Sequence, residues 1–104
     1  MSPAEVEALA LLAEECGEVV QAIGKSLRHG LDSYHPAEPD AGDNAHRLAR
    51  ELGDVQAAIA IVQRLGIVDW RDVNAAMQDK LARVTTYLHS AEVKAAVVAE
   101  RGGR

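Results

Sequence analysis

The sequence predicts an all-α fold: an antiparallel helical bundle whose four-helix core is completed by oligomerisation. Three observations carry that expectation. Apolar residues recur at helical spacing through four segments, and nothing alternates with the period of a strand. Each segment is preceded by a residue suited to cap a helix: Ser2, Asp43 or Asn44, Asp69 and Ser90. The first segment is apolar over much of its circumference, more than a single antiparallel neighbour covers, so helices of a second copy are expected to complete the bundle.

The elements follow in order. Ser2 caps the first helix and Pro3 suits its first turn. The pattern runs to about Arg28 and stops at His29-Gly30, where glycine can end a helix. Its main apolar stripe is Leu9, Leu12, Cys16, Val19, Ile23 and Leu27. A second strip beside it holds Ala4, Ala8, Leu11 and Ala22 together with Glu15 and Glu18, and its small residues suggest that this side is covered as well. Residues 30–43, with two prolines and two glycines, are turn chemistry; the loop is longer than most helix–helix connections, and loops of that length are often functional. Asp43 or Asn44 caps a second helix that runs to about Leu65 and ends at Gly66. Its apolar face is Leu48, Leu52, Val55, Ile59 and Val62. Asp69 caps a third helix, with Trp70 as a core anchor at its start and Val73, Met77, Leu81, Val84 and Leu88 along it. Ser90 caps a short fourth helix from Ala91 to Glu100, and residues 101–104 form a frayed tail. At 104 residues, 1–104 is expected to be one domain with a small core.

Composition excludes several classes. The chain carries a net charge of −5 and has no long basic run, which argues against a nucleic-acid polymer or an anionic membrane as partner. Hydrophobic residues make up 48%, yet phenylalanine is absent; Ala, Val, Leu and Ile suit helices packed at close range. Cys16 is the sole cysteine, so no internal disulfide forms; a reducing cytoplasm is the expected location, with Cys16 as a small core residue. No segment is apolar enough to span a membrane, and the N-terminus lacks the basic region of a signal peptide.

Two acidic clusters carry the chemistry. Glu14-Glu15-Cys16-Gly17-Glu18 is an E-E-x-x-E string and Glu51-Leu52-Gly53-Asp54 an E-x-x-D string, each inside a helical pattern. Residues three apart share a helix face, so Glu15 points with Glu18 and Glu51 with Asp54. Like charges so placed repel, and Glu51 projects into the apolar face between Ala58 and Val62. A carboxylate at a helix interface costs several kcal/mol unless it is paired or binds a metal. Two such pairs face to face make an oxygen cage for a hard divalent cation. A carboxylate-bridged di-iron site would need Glu-x-x-His on two helices, and no glutamate here has histidine three positions later.

Other residues have two readings each. Lys25 and Arg28, one and two turns past Glu18, either complement the helix C-terminal dipole or meet an anionic ligand. Lys80 and Arg83 share a face of the third helix, as solvated cations or as contacts to such a ligand. Tyr34, His35 and His29 surround the long loop and either stack on a planar ligand or pack locally. Asn74 is a weak candidate for a sugar or base contact, and His46 and His89 read as surface.

At the acidic strings the sequence resembles the MazG-like, all-α nucleoside triphosphate pyrophosphohydrolases, whose signature is E-E-x-x-E followed one loop later by E-x-x-D. The neighbouring residues agree, from Leu12-Ala13-Glu14-Glu15 to Gln21-Ala22-Ile23 and from Arg50-Glu51-Leu52-Gly53 to Val55. The string from Lys25 to Pro36 is similar to small stand-alone members, phage-encoded ones among them. The likeness covers roughly residues 5–88. It departs in a longer gap between Glu18 and Glu51 and in the third-helix basic residues, matched loosely by Lys80 and Arg83. The resemblance implies Mg²⁺-dependent hydrolysis of a nucleoside triphosphate to monophosphate and pyrophosphate, in nucleotide-pool control or house-cleaning. It makes Glu15, Glu18, Glu51 and Asp54 direct metal ligands, and has Glu14 orient or deprotonate the attacking water or cap the network from outside. A homodimer or homotetramer is expected. A deoxynucleotide preference is expected too, with the loop from Gly30 to Asp43 placed to read sugar and base. Two rivals remain: a phosphoribosyl-ATP pyrophosphatase, which shares fold and acids, and a non-enzymatic helical oligomerisation module, which explains the apolar helices but not Glu51 within an apolar stripe.

Overall fold

Four α-helices and two short 3₁₀ turns, with no strand, make up the described residues, 1–102 of a computed structural model. They group into two units, Met1–Ile67 and Val68–Arg104. The all-α expectation holds in both.

In the first unit, α1 (Pro3–His29) starts from a complete capping box. The Glu5 backbone N–H donates to Ser2 Oγ at 3.1 Å and the Ser2 N–H to Glu5 Oε1 at 2.8 Å, so two otherwise orphaned donors are satisfied reciprocally. Gly30 ends the helix with φ 95°, a conformation that favours glycine, and its N–H donates to the Ser26 carbonyl. A 3₁₀ turn, Pro39–Ala41, interrupts the loop. α2 (Asn44–Arg64) is capped by Asp43, whose carboxylate accepts from the His46 N–H at 3.0 Å and pairs with the exposed His46 ring at 2.8 Å.

Asn44, the other cap candidate, does something else. It is buried, and its amide donates to the Gly30 carbonyl at 2.9 Å. The first two backbone donors of α2 reach the same strand of loop: Asn44 N–H bonds the Ser33 carbonyl at 2.8 Å and Ala45 N–H the Leu31 carbonyl at 2.9 Å. The end of α1 is thereby stitched to the start of α2, and the two helices pack against each other as an antiparallel hairpin.

The hairpin covers the second strip of α1, the side whose small residues suggest cover. The side that meets α2 is the strip of small residues and acids: Ala8 is buried, and Leu11, Glu15, Glu18 and Ala22 are half-buried. On α2, Ala58 and Val62 are buried. On the expected main stripe Leu9, Leu12 and Val19 are half-buried too, while Ile23 is 42% and Leu27 83% exposed, and Cys16 lies exposed rather than in a core. The physical reason is close approach. Alanines at Ala8 and Ala58 let two backbones come together, and one partner helix covers only one side of α1.

In the second unit, α3 (Trp70–Arg83) begins at Asp69, whose carboxylate accepts from the Arg71 N–H at 2.8 Å. Trp70 is not a core anchor: it is 59% exposed, with the Arg71 guanidinium 5.5 Å from its ring centroid. α3 also stops short of Leu88, giving way to a 3₁₀ turn over Val84–Tyr87. Three β-branched residues, Val84, Thr85 and Thr86, lower helix propensity there, and the Thr86 hydroxyl donates to the Arg83 carbonyl at 2.8 Å in competition with the helical ladder. α4 (Ala91–Glu100) is capped by Ser90, and Val97 is buried. Of the expected tail, Arg101 and Gly102 continue as a turn, and residues 103–104 lie outside the described residues. No helix among the described residues is long and apolar enough to cross a membrane.

Candidate metal centre

Antiparallel pairing of α1 and α2 sets Glu15 and Glu18 against Glu51 and Asp54. One carboxylate oxygen from each of the four lies within 4.8 Å of the others. Three of the four residues are half-buried and Asp54 is exposed, so the cluster has a dry wall and an open side. Glu15 Oε2 and Glu51 Oε2 are buried with no hydrogen-bond partner. Such orphaned acceptors are costly in a folded protein. Among the described residues, no lysine, arginine or histidine forms an ion pair with any of the four acids.

The electrostatics follow from this crowding. Partial burial, and then the charges of Asp54, Glu14 and Glu51, push the Glu15 carboxyl above the usual glutamate range. Glu18 is raised as well, first by sharing a hydrogen bond with the Glu51 carboxyl and then by the neighbouring charges of Glu15 and Glu51. Hard oxygen donors, two of them orphaned, fit a hard divalent cation. Glu14 is exposed and stands outside the four-acid group, one residue round the helix from Glu15. Its charge acts on Glu15 and Glu18 from there.

Two cavities continue from the acids towards the loop. The smaller, about 50 Å³, is walled by Glu18, Gln21, Ala22, Lys25, Asn44, Arg47 and Glu51. The larger, about 350 Å³, shares Lys25, Asn44 and Arg47 with it and adds Arg28, His29, Ser33, Tyr34, His35 and Pro36. Of the residues singled out from sequence, Lys25 thus reaches both cavities, while Arg28, His29, Tyr34 and His35 meet in the larger. Lys80 and Arg83 belong to α3 of the second unit, where the Arg83 guanidinium donates to Asp79 at 3.0 Å.

Arg47 and Asn44 were missed by the sequence reading. A signal for both existed: they stand four and seven residues before Glu51, one and two turns back on the same helix face. A family model described as "MazG nucleotide pyrophosphohydrolase domain" matches residues 5–89. No curated protein matches significantly, and neither does any solved structure.

Proposed function

The chain belongs to the MazG nucleotide pyrophosphohydrolase family, and from that premise we propose that it hydrolyses a nucleoside triphosphate, ribo or deoxy, to the monophosphate and pyrophosphate. Mg²⁺ is the expected metal, with Mn²⁺ as substitute, and nucleotide-pool control or house-cleaning the expected role.

The single observation that carries this reading is the pair of buried, partnerless carboxylate oxygens on Glu15 and Glu51, inside a cluster completed by Glu18 and Asp54. These four residues would hold the cation. Once bound, the metal supplies charge neutralisation on the phosphates and a water more easily deprotonated. Glu14, exposed next to the cluster, would orient that water or take its proton, or cap the network from outside. The water oxygen bonds to the α-phosphorus, and the bridging oxygen departs with its bonding pair as part of pyrophosphate. Lys25 and Arg28 would steady the phosphates. Positioning and charge compensation, rather than covalent chemistry by the protein, carry such a reaction. The substrate is a mononucleotide rather than a nucleic-acid polymer.

The test is a panel of canonical and modified ribo- and deoxynucleoside triphosphates, with phosphoribosyl-ATP included, incubated with Mg²⁺ and resolved for products. Monophosphate and pyrophosphate in equal amounts are expected. Orthophosphate without pyrophosphate would overturn the bond assignment. No turnover of any triphosphate by the folded, metal-supplied protein would leave a binding module as the better reading.

A further inference from the structure

We infer that Asn44 is a register lock: its buried amide fixes the axial position of α2 on α1, and so sets Glu51 and Asp54 level with Glu18 and Glu15. The lock concerns the assembly of the four acids and holds whether or not the chain hydrolyses a triphosphate.

The seam between the two helices does little to fix its own register. It is built from Ala8, Leu11 and Ala22 on α1 and Ala58 and Val62 on α2. Apolar contact is non-directional, and a slide of one helical turn, about 5.4 Å, exchanges one small side chain for another. The acids oppose the observed register. Ionised carboxylates within 4.8 Å of one another repel, and a slide that parts Glu15 and Glu18 from Glu51 and Asp54 relieves them. Among the described residues no ion pair joins α1 to α2; the pairs present are local ones, Asp43 with His46, Asp69 with Arg71 and Asp79 with Arg83.

A directional tie is therefore needed, and Asn44 supplies it. Among the described residues, its amide bond to the Gly30 carbonyl, 2.9 Å, is the only side-chain hydrogen bond between residues more than four apart. Asn44 is also the only polar residue buried among them. Burying an amide is costly unless its partner is in place, so a slide of one turn carries that cost. Helix capping does not explain the side chain, because Asp43 already caps α2 through the His46 N–H. Two backbone bonds support the tie, from Asn44 to Ser33 and from Ala45 to Leu31, but both end on the loop beyond α1. The amide reaches Gly30, where α1 stops, and Gly30 is itself anchored by its N–H to the Ser26 carbonyl at 2.8 Å. Asn44 stands seven residues before Glu51, two turns back on the same face, so a rigid helix carries its position to the acids. A lone buried polar residue that sets register along an apolar seam is the best-attested use of such groups.

The experiment reads register directly. Spin labels on the native Cys16, exposed on α1, and on Arg64→Cys, at the last residue of α2, report the distance between the helices. Labelled protein is diluted into unlabelled, so that only pairs within one chain are read. One narrow distance is expected with Asn44 in place. Asn44→Leu, similar in size but without the amide, is expected to add a second population displaced by up to about 5 Å, one turn of slide. Asn44→Ala takes its place if the leucine variant does not fold, and circular dichroism checks each. Ser2→Ala, which removes a cap at the far end of α1, should leave the distance unaltered. Mg²⁺ affinity should fall with the fraction out of register, about twofold when that fraction is half, and saturating Mg²⁺ should restore the single distance. A folded, metal-free Asn44 variant that keeps one narrow distance overturns the lock. So does a Ser2→Ala protein that slips as far, since the slide would then be a general result of lost stability. Slippage in the Asn44 variant of a protein that binds no Mg²⁺ supports the lock while the metal reading fails.

Discussion

Glu15 and Glu18 carry carboxyls that hold their protons more tightly in the folded protein than in the unfolded chain. The metal-free folded state therefore binds protons that the unfolded state has released once pH exceeds the ordinary glutamate value of 4.5. Their effect on stability is most favourable at low pH and is lost as pH rises through the raised values. Asp43 and Glu5 act the other way: the hydrogen bonds of His46 and Ser2 lower them, and their contribution disappears only as pH falls below their ordinary 3.8 and 4.5. In chelator, the melting temperature is expected to decline as pH rises above 4.5, and Mg²⁺ to reverse the decline. Thermal melts across pH with and without Mg²⁺ check this, and a flat metal-free profile would count against a crowded acid site. Glu51→Gln should abolish stabilisation by Mg²⁺ while leaving the metal-free protein as stable as wild type or more so, because it removes one repelling charge and an orphaned buried anion. Unaltered Mg²⁺ binding by calorimetry in that variant would show the site to be misplaced. Activity should fall by orders of magnitude in Glu18→Gln or Asp54→Asn. These four acids were legible because their three-residue spacing fixes a shared helix face. Arg47 was legible only in part: its place one turn before Glu51 on the same helix face can be read from the spacing, but not that the loop folds back over the start of α2.

At the scale of elements, Asn44 joins α1 to α2. Its buried amide satisfies the Gly30 carbonyl at the point where α1 ends. Asn44→Ala leaves that acceptor without its partner and is expected to cost about 1–3 kcal/mol, read as a lower midpoint in urea unfolding with an unchanged slope. At the opposite end of α1, Ser2→Ala removes half of the capping box and should cost about 1 kcal/mol. The helices themselves were plain in the sequence because capping residues and glycines punctuate them. Two features were not. The pattern from Val73 to Leu88 keeps its apolar period past Arg83, so periodicity alone could not reveal that Thr86 turns its hydroxyl onto the backbone. On α1 the sequence marks two strips as covered, and only the packing shows that Ile23 and Leu27 of the larger one stay exposed.

For the molecule as a whole, the hairpin leaves apolar surface open on both of its helices: Val20 is 69% and Leu27 83% exposed on α1, with Leu52 and Ile61 exposed on α2. No large side chain is fully buried among the described residues. A second copy that covers this surface would supply the missing half of a four-helix core. Sedimentation at micromolar concentration is expected to give a dimer or tetramer, and Ile23→Glu to shift it towards single chains. A well-folded wild-type species of 11.1 kDa would refute the expectation.

The stitching of the loop has a consequence for chain entropy. Because Ser33 and Leu31 are held by the first donors of α2, the excursion that must be closed is 34–43, not the whole connection. Closure entropy grows only with the logarithm of length, about 0.6 kcal/mol for each doubling. Extra residues at the tip therefore subtract little from the stability of the hairpin and leave the register of Glu18 against Glu51 untouched. The length of the tip is then a nearly neutral ornament on the scaffold. Inserting a short Gly-Ser segment after Ala37 should change the unfolding free energy by less than about 1 kcal/mol.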